Sequence, residues 1–157
     1  MATETKKMEQ RLRVAEMYIV GLAVGIWNFV GESAMALAPE IGEELLKMME
    51  KEMGLEIAGE DAKSVLAEIG RLMVDEFGLC TAADITVDGN SILVQTKDAL
   101  VEIGLTKHGM ASGVEKPFLN VIANTGLAAL KRMKIKARCN FAINAANRGF
   151  DIKFDLL

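Results

Sequence analysis

The sequence predicts an α+β fold. Amino-terminal helices pack with a roughly four-stranded antiparallel sheet, and that sheet is made of two hairpins separated by helices. Three stretches carry this reading. Within residues 12–31, LRVAEMYIVGLAVGIWNFVG, nothing between Glu16 and Glu32 is charged. That run is too apolar for a wet surface helix and shorter than the about 20 apolar residues a bilayer requires. Residues 82–97 alternate apolar and polar side chains on either side of Asp88-Gly89-Asn90, a hairpin turn signal. Residues 135–156 alternate still more strictly, as half-buried antiparallel strands do.

In chain order, residues 1–8 are polar and expected to fray, and the rest, to 157, reads as one domain. The first helix is expected from about Lys7 to Gly31, buried on most of its circumference and central to the fold. Gly21 and Gly25 fall on one face of it, near Ala15 and Phe29. Two glycines inside a helix cost roughly 1 kcal/mol each, which a close backbone approach would offset. The partner is a second helix of this chain or the same helix of a second subunit. The second helix starts at or is kinked near Pro39, a residue tolerated in a first turn, and runs to Gly54. Asp61 can cap the third, about 62–77, with Ser64 just inside it and Gly78 ending it. After the hairpin, DALVEIGL suggests a short helix and TKHGMASGVEKP a loop. Ser112 and Glu115 have capping-box spacing, with Pro117 in the first turn of a helix running to about Met133. Phe118 is placed among its sheet-facing residues, and Gly126 marks a possible close crossing. In the last hairpin Cys139, Phe141, Phe150 and Phe154 share the apolar face.

Composition narrows the function more by exclusion than by signature. The 157 residues are 51% hydrophobic and 25% charged, an ordinary globular balance. The net charge of −4 is uneven: residues 1–80 hold 15 acids and 8 bases, residues 81–157 hold 7 and 10. A nucleic-acid-binding chain is usually more basic, and no aromatic side chain shares the polar face of the last hairpin. No phosphate loop, dinucleotide fingerprint or serine elbow occurs. Paired acids such as Glu43-Glu44 read as solvated helix faces. Cys80 and Cys139 are two distant cysteines, which make neither a disulfide framework nor a zinc site. Without a secretory leader they are expected to be reduced, and the compartment cytoplasmic. His108, the single histidine, lies in the expected loop and could act as a base or ligand only if other polar groups converge on it. No catalytic residue, cofactor or metal site is assigned, and no transmembrane segment is expected.

Candidate binding residues remain. An apolar pocket between the amino-terminal helices and the sheet would be walled by Trp27, Met48, Met49, Met73, Phe141 and Phe154. Methionines fill irregular gaps and also line adaptable surfaces, so solid core is the alternative. Tyr18 and Asn28 interrupt the apolar run and could orient a ligand. Gly21 and Gly25 are candidate dimer contacts. Lys131, Arg132, Lys134, Lys136 and Arg138 form a basic cluster that could meet an anion, or else be the wet edge of the sheet.

Taken together, ADITVDGNSILV, PFLNVIANTGLAAL and KARCNFAINAANRGFDIKFDL resemble the 4-vinyl reductase, or hydrocarbon-binding, domain family. Its fold is similar to that of Bet3-type subunits of vesicle-tethering complexes. The resemblance is one of layout over residues 10–157. It implies helices, a hairpin, a helix and a closing hairpin, and a dimer that binds small apolar molecules. The loop before Pro117 and the turn Asn147–Gly149 lack the cysteines family members often carry, so no cysteine metal site is implied. The function expected is a non-enzymatic binding or sensing domain for a small hydrophobic molecule. The alternative is a homo-oligomeric interaction module without such a ligand.

Overall fold

The structure is a computed structural model and describes residues 3–116 and 118–157. Helix α1 spans Glu4–Val30, three residues earlier than expected, because the Thr3 side chain accepts a hydrogen bond from the Lys6 amide and caps it. Gly31, at φ +58°, ends it. A 3₁₀ helix, Gly31–Leu37, leads into α2, Ala38–Met53, with Pro39 in its first turn. Helix α3 is Ala62–Asp75; Asp61 and Ser64 exchange the side-chain-to-backbone bonds of a capping box. Strands β1, Ala82–Asp88, and β2, Ser91–Lys97, form the first hairpin, followed by α4, Leu100–Ala111. Helix α5 spans Val121–Arg132; strands β3, Ala137–Asn144, and β4, Gly149–Leu156, close the chain.

The fold is α+β as expected, with the two hairpins joined side by side into an antiparallel sheet of order β1-β2-β4-β3. Val94 lies opposite Ile152, and Phe141 opposite the same Ile152 from the other side. The apolar residues of β2 and β4 therefore line one face: Ile92, Val94, Phe150, Ile152 and Phe154 are all buried. Helices α3 and α5 cover that face, and α2 packs along α5.

The organising helix is α5, not α1. Ile122, Ala123, Asn124, Thr125, Gly126, Ala128, Ala129 and Leu130 are buried, with only Leu127 between them partly exposed. Small residues let it sit between the sheet and α2. A Cβ on Gly126 would fall 2.5 Å from the Phe154 ring, and one on Gly42 of α2 only 1.9 Å from the Asn124 carbonyl oxygen. The close crossing expected at Gly126 is present. The one expected at Gly21 and Gly25 is absent within this chain, since a Cβ on either meets nothing within 4 Å. The expectation of a buried, central α1 is corrected accordingly: only Ala23 and Trp27 of its 27 residues are buried. Apolarity was read as burial, but an apolar face can equally be left on the surface.

The segment after α4 also differs from the sequence reading. His108 lies in the last turn of α4, not in a loop. Ser112 is the C-terminal cap of α4, and α5 starts at Val121 with Asn120 as its cap, so Ser112 and Glu115 form no capping box. Phe118 precedes α5 and packs with Trp27 instead of the sheet. Pro117 lies outside the described residues.

Candidate functional site

Helix α1 packs chiefly against α4 and the 3₁₀ helix. Ala23 and Trp27 join Ala34, Val114 and Phe118 in a small apolar cluster separate from the main core. Beside this cluster lies a cavity of about 40 Å³ between α1, α4 and residues 118–121. Ile19, Val20 and Ala23 form its α1 wall; Leu105, Val114 and Phe118 are among the residues opposite. That volume exceeds the share of one water but is well below the roughly 150 Å³ of an apolar cavity that admits benzene.

Three polar side chains, Glu102, Thr106 and Asn120, line this apolar setting, and two of them keep an unpaired buried atom among the described residues. Glu102 of α4 is 5% exposed and Asn120 is 3% exposed, and both line the cavity. Each spends one atom on the α5 N-terminus, where unpaired amides must find acceptors. Glu102 Oε1 accepts from the Val121 amide at 3.0 Å, and Asn120 Oδ1 from the Ala123 amide at 2.9 Å. Their other atoms, Glu102 Oε2 and Asn120 Nδ2, are buried without a hydrogen-bond partner among the described residues. Burial pushes the Glu102 carboxyl up to about 7, against the smaller opposing pull of the Val121 amide. Neither residue carries a sequence signal for this role. Glu102 reads as an ordinary acid of a short helix, and only the fold reveals that it is enclosed.

The pocket walls inferred from sequence do not converge. Met49, Met73 and Phe154 are part of the main core, with Phe141 packed against it, and Trp27 belongs to the other cluster. Met48 is 46% exposed. Between helices and sheet these side chains fill the interior as core, in keeping with dense native packing. Phe141 and Cys139 do line a shallow depression of about 450 Å³ with Met35, Met110 and Lys116. Tyr18 and Asn28 are exposed, so neither is a buried orienting group. Tyr18 instead joins Met17, Gly21, Leu22, Gly25, Ile26 and Phe29 along an open groove on the outer side of α1.

The basic cluster is partly spent on α2. Lys131 pairs with Glu40 at 2.5 Å, and Arg132 with Glu43 and Glu50 at 2.9 and 2.7 Å. Hydrogen bonding to Arg132 holds the Glu43 carboxyl below its usual range. Arg138 lies opposite Asp155 across β3 and β4. Lys134 and Lys136 are exposed at the link into β3. Cys80 is buried and Cys139 half-buried; burial raises their thiols to about 11 and 12, with smaller contributions from the Glu102 and Asp155 charges respectively. Thiols so held are poor nucleophiles near neutral pH. Exposed His108 lines an open groove with Arg13 and Glu16. Among the described residues, no three metal-ligating side chains come together.

No protein-family model and no curated protein matches the sequence. A solved structure does resemble this one: trafficking protein particle complex subunit 3 from Naegleria fowleri, covalently bound to palmitic acid. The TM-score is 0.63 over 95% of this chain and 96% of that one, at 13% identity. The chain thus has the α+β fold of a Bet3-type subunit, the architecture its layout implied.

Proposed function

We propose that this protein is a non-enzymatic binding domain for a small hydrophobic molecule, held where α1 meets α4. The observation that carries the reading is the cavity itself: apolar walls with Glu102 and Asn120 among the lining residues, each holding a buried polar atom without a partner among the described residues. Ligand sites are mostly apolar with a few placed polar groups. The cavity is small as it stands, so a ligand enters as α1 shifts outward. Helix α1 is suited to that, being exposed along most of its length and anchored through few buried side chains. The palmitate of the structural neighbour supports the same ligand class, and the resemblance to hydrocarbon-binding domains points the same way. Shielded, unpaired thiols suit a reducing, cytoplasmic setting. Native mass spectrometry after mild purification tests the proposal. A copurifying apolar molecule is expected, released by unfolding. A bare chain that also fails to bind added apolar molecules would remove it.

A second reading, self-association, has its own observation. The outer face of α1 leaves Met17, Tyr18, Leu22 and Phe29 exposed, Phe29 by 90%. Contiguous apolar surface of this kind marks an interaction site. The occupant we infer is a second copy of this helix. In an antiparallel pair centred on Gly25, each Phe29 meets the partner's Gly21, where the surface is open. Knob and gap thus lie on one helix at the offsets a twofold axis requires. Against the sequence expectation of no spanning segment, the continuous helical stretch Glu4–Met53, which includes α1, is long and apolar enough by length and composition to cross a membrane. Sedimentation equilibrium at micromolar concentration, alongside flotation with lipid vesicles, decides between the occupants. A dimer that Phe29→Ala dissociates supports self-association. A monomer throughout, or flotation with the vesicles in place of a dimer, overturns it.

A further inference from the structure

We propose that Glu102 and Asn120 form the head-group end of the ligand site and select an uncharged hydroxyl, so that the ligand is an alcohol carrying a hydrocarbon tail. This rests on the ligand reading above and names the ligand's chemistry.

The two side chains are fixed by bonds that have nothing to do with a ligand. Glu102 Oε1 and Asn120 Oδ1 are occupied by the Val121 and Ala123 amides at the start of α5, which sets the orientation of both groups. What remains is one amide nitrogen, Asn120 Nδ2, with its two N–H donors, and one carboxyl oxygen, Glu102 Oε2, each buried and unpaired among the described residues. Buried polar atoms are paired in nearly all native structures, and an unmet one is costly. A hydroxyl supplies one acceptor and one donor from a single atom. It accepts from Asn120 Nδ2 and donates to Glu102 Oε2, giving each atom a partner. A carboxylate head would set its charge against Glu102 once that group ionises, and an ammonium head has no acceptor for Asn120. The cavity of about 40 Å³ is of hydroxymethyl size.

The tail has a path. An open groove of about 460 Å³ runs along the α1–α4 seam, and it shares Val20 and Leu105 with the cavity. These two side chains are the partition, so their rotation joins head site to groove. The groove's volume lies in the range of about 300–1,000 Å³ usual for small-molecule clefts. Gly104 lies in its floor, with nothing within 4 Å of where its Cβ would be. A larger side chain there would occupy the tail's place without disturbing the core.

The test uses the full chain and three ten-carbon probes below their aggregation limits: decan-1-ol, decanoate and decyltrimethylammonium. Binding at pH 8 is read from the emission of Trp27, whose cluster includes cavity-wall residues Ala23, Val114 and Phe118. Decan-1-ol is expected to bind saturably and at least about tenfold tighter than either charged probe, the equivalent of about one hydrogen bond. Asn120→Ser keeps an N-cap oxygen but removes the free amide. Glu102→Gln keeps the acceptor for Val121 but presents a donor where the hydroxyl must donate. Each is expected to weaken decan-1-ol about tenfold; Asn120→Ser should leave the charged probes unchanged, whereas Glu102→Gln, by removing the carboxylate, should strengthen decanoate, with thermal unfolding confirming that each variant folds. Gly104→Phe should weaken all bound probes together. Equal binding of the three probes, or unchanged decan-1-ol affinity in both folded head-site variants, overturns the hydroxyl assignment while the ligand reading stands. No saturable binding of any probe overturns both. If Asn120→Ser or Glu102→Gln does not fold, the ordering of the three probes on the unaltered chain and Gly104→Phe decide the outcome.

Discussion

Replacing Glu102 by glutamine should remove a pH dependence of stability that the wild-type chain carries. The buried carboxyl titrates near 7 in the folded protein, against an ordinary value of 4.5. Its folded-state affinity for a proton is therefore the higher one. Between pH 4.5 and 7 the native chain holds this proton and the unfolded chain has released it. Linkage then makes stability fall as pH rises through that window and level off above it. At about 1.4 kcal/mol per tenfold in proton affinity, the full effect is roughly 3 kcal/mol, of which about 2 kcal/mol or more falls between pH 5 and 8. Glu43, Glu68, Asp61 and Asp155 are held below their usual range by hydrogen bonds, from Arg132, Arg71, Ser64 and Ser91 respectively. Their contributions have the opposite sign and are lost only below the carboxylate range, outside the window. Urea unfolding at pH 5, 6, 7 and 8, followed by circular dichroism at one protein concentration, measures the slope. The wild type should lose stability across the series and Glu102→Gln should lose far less. Parallel slopes in the two proteins would refute the buried, ligand-ready state of this carboxyl.

Other outcomes follow from the packing. Gly42→Ala places a methyl 1.9 Å from the Asn124 carbonyl oxygen and should cost about 1–3 kcal/mol as overpacking; a melting curve that does not move would place α2 farther from α5. A Cβ on Gly21 meets nothing within 4 Å, so Gly21→Leu on this open face should cost the isolated chain no stability, and an equilibrium dimer should dissociate. Arg132→Ala removes the pairs to Glu43 and Glu50 that tie α5 to α2. Partial exposure limits the loss to about 1 kcal/mol, and the loss should shrink in high salt. Cys80 and Cys139 should react slowly with a thiol reagent at pH 8 in the native state and rapidly in denaturant, since burial raises both thiols; fast native labelling of both would contradict their shielding.

The sheet was the most legible part of the sequence because a strict period of two leaves one register that buries Phe150, Ile152 and Phe154 together. Gly89 and Asp61 were readable for a local reason: a turn and a cap are chosen by the residues that form them. Helix α1 misled because hydropathy reports what a side chain avoids and not whether the chain itself covers it. Helix α5 was under-weighted for the converse reason. Ala123, Gly126, Ala128 and Ala129 carry little hydrophobic signal, yet smallness is what admits a helix between the sheet and α2. Trp27, Met49, Met73 and Phe154 were correctly singled out as apolar, but sequence spacing could not tell that Trp27 belongs to a different cluster from the other three. Glu102 and Asn120 were invisible as a pair. They lie 18 positions apart, and only the return of residues 118–121 against α4 brings them to one cavity.

The central claim is that a hydrophobic molecule lodges between α1 and α4. Amide and methyl NMR spectra of the isotope-labelled chain during titration with decan-1-ol test it most directly. Saturating shifts are expected at Ala23, Leu105, Val114, Val121 and the Trp27 indole, with the Asn120 side-chain amide moving alongside them. Shifts confined to Leu22, Gly25 and Phe29 on the outer face of α1, or growing linearly without saturation, would contradict the claim and leave self-association as the role of that helix.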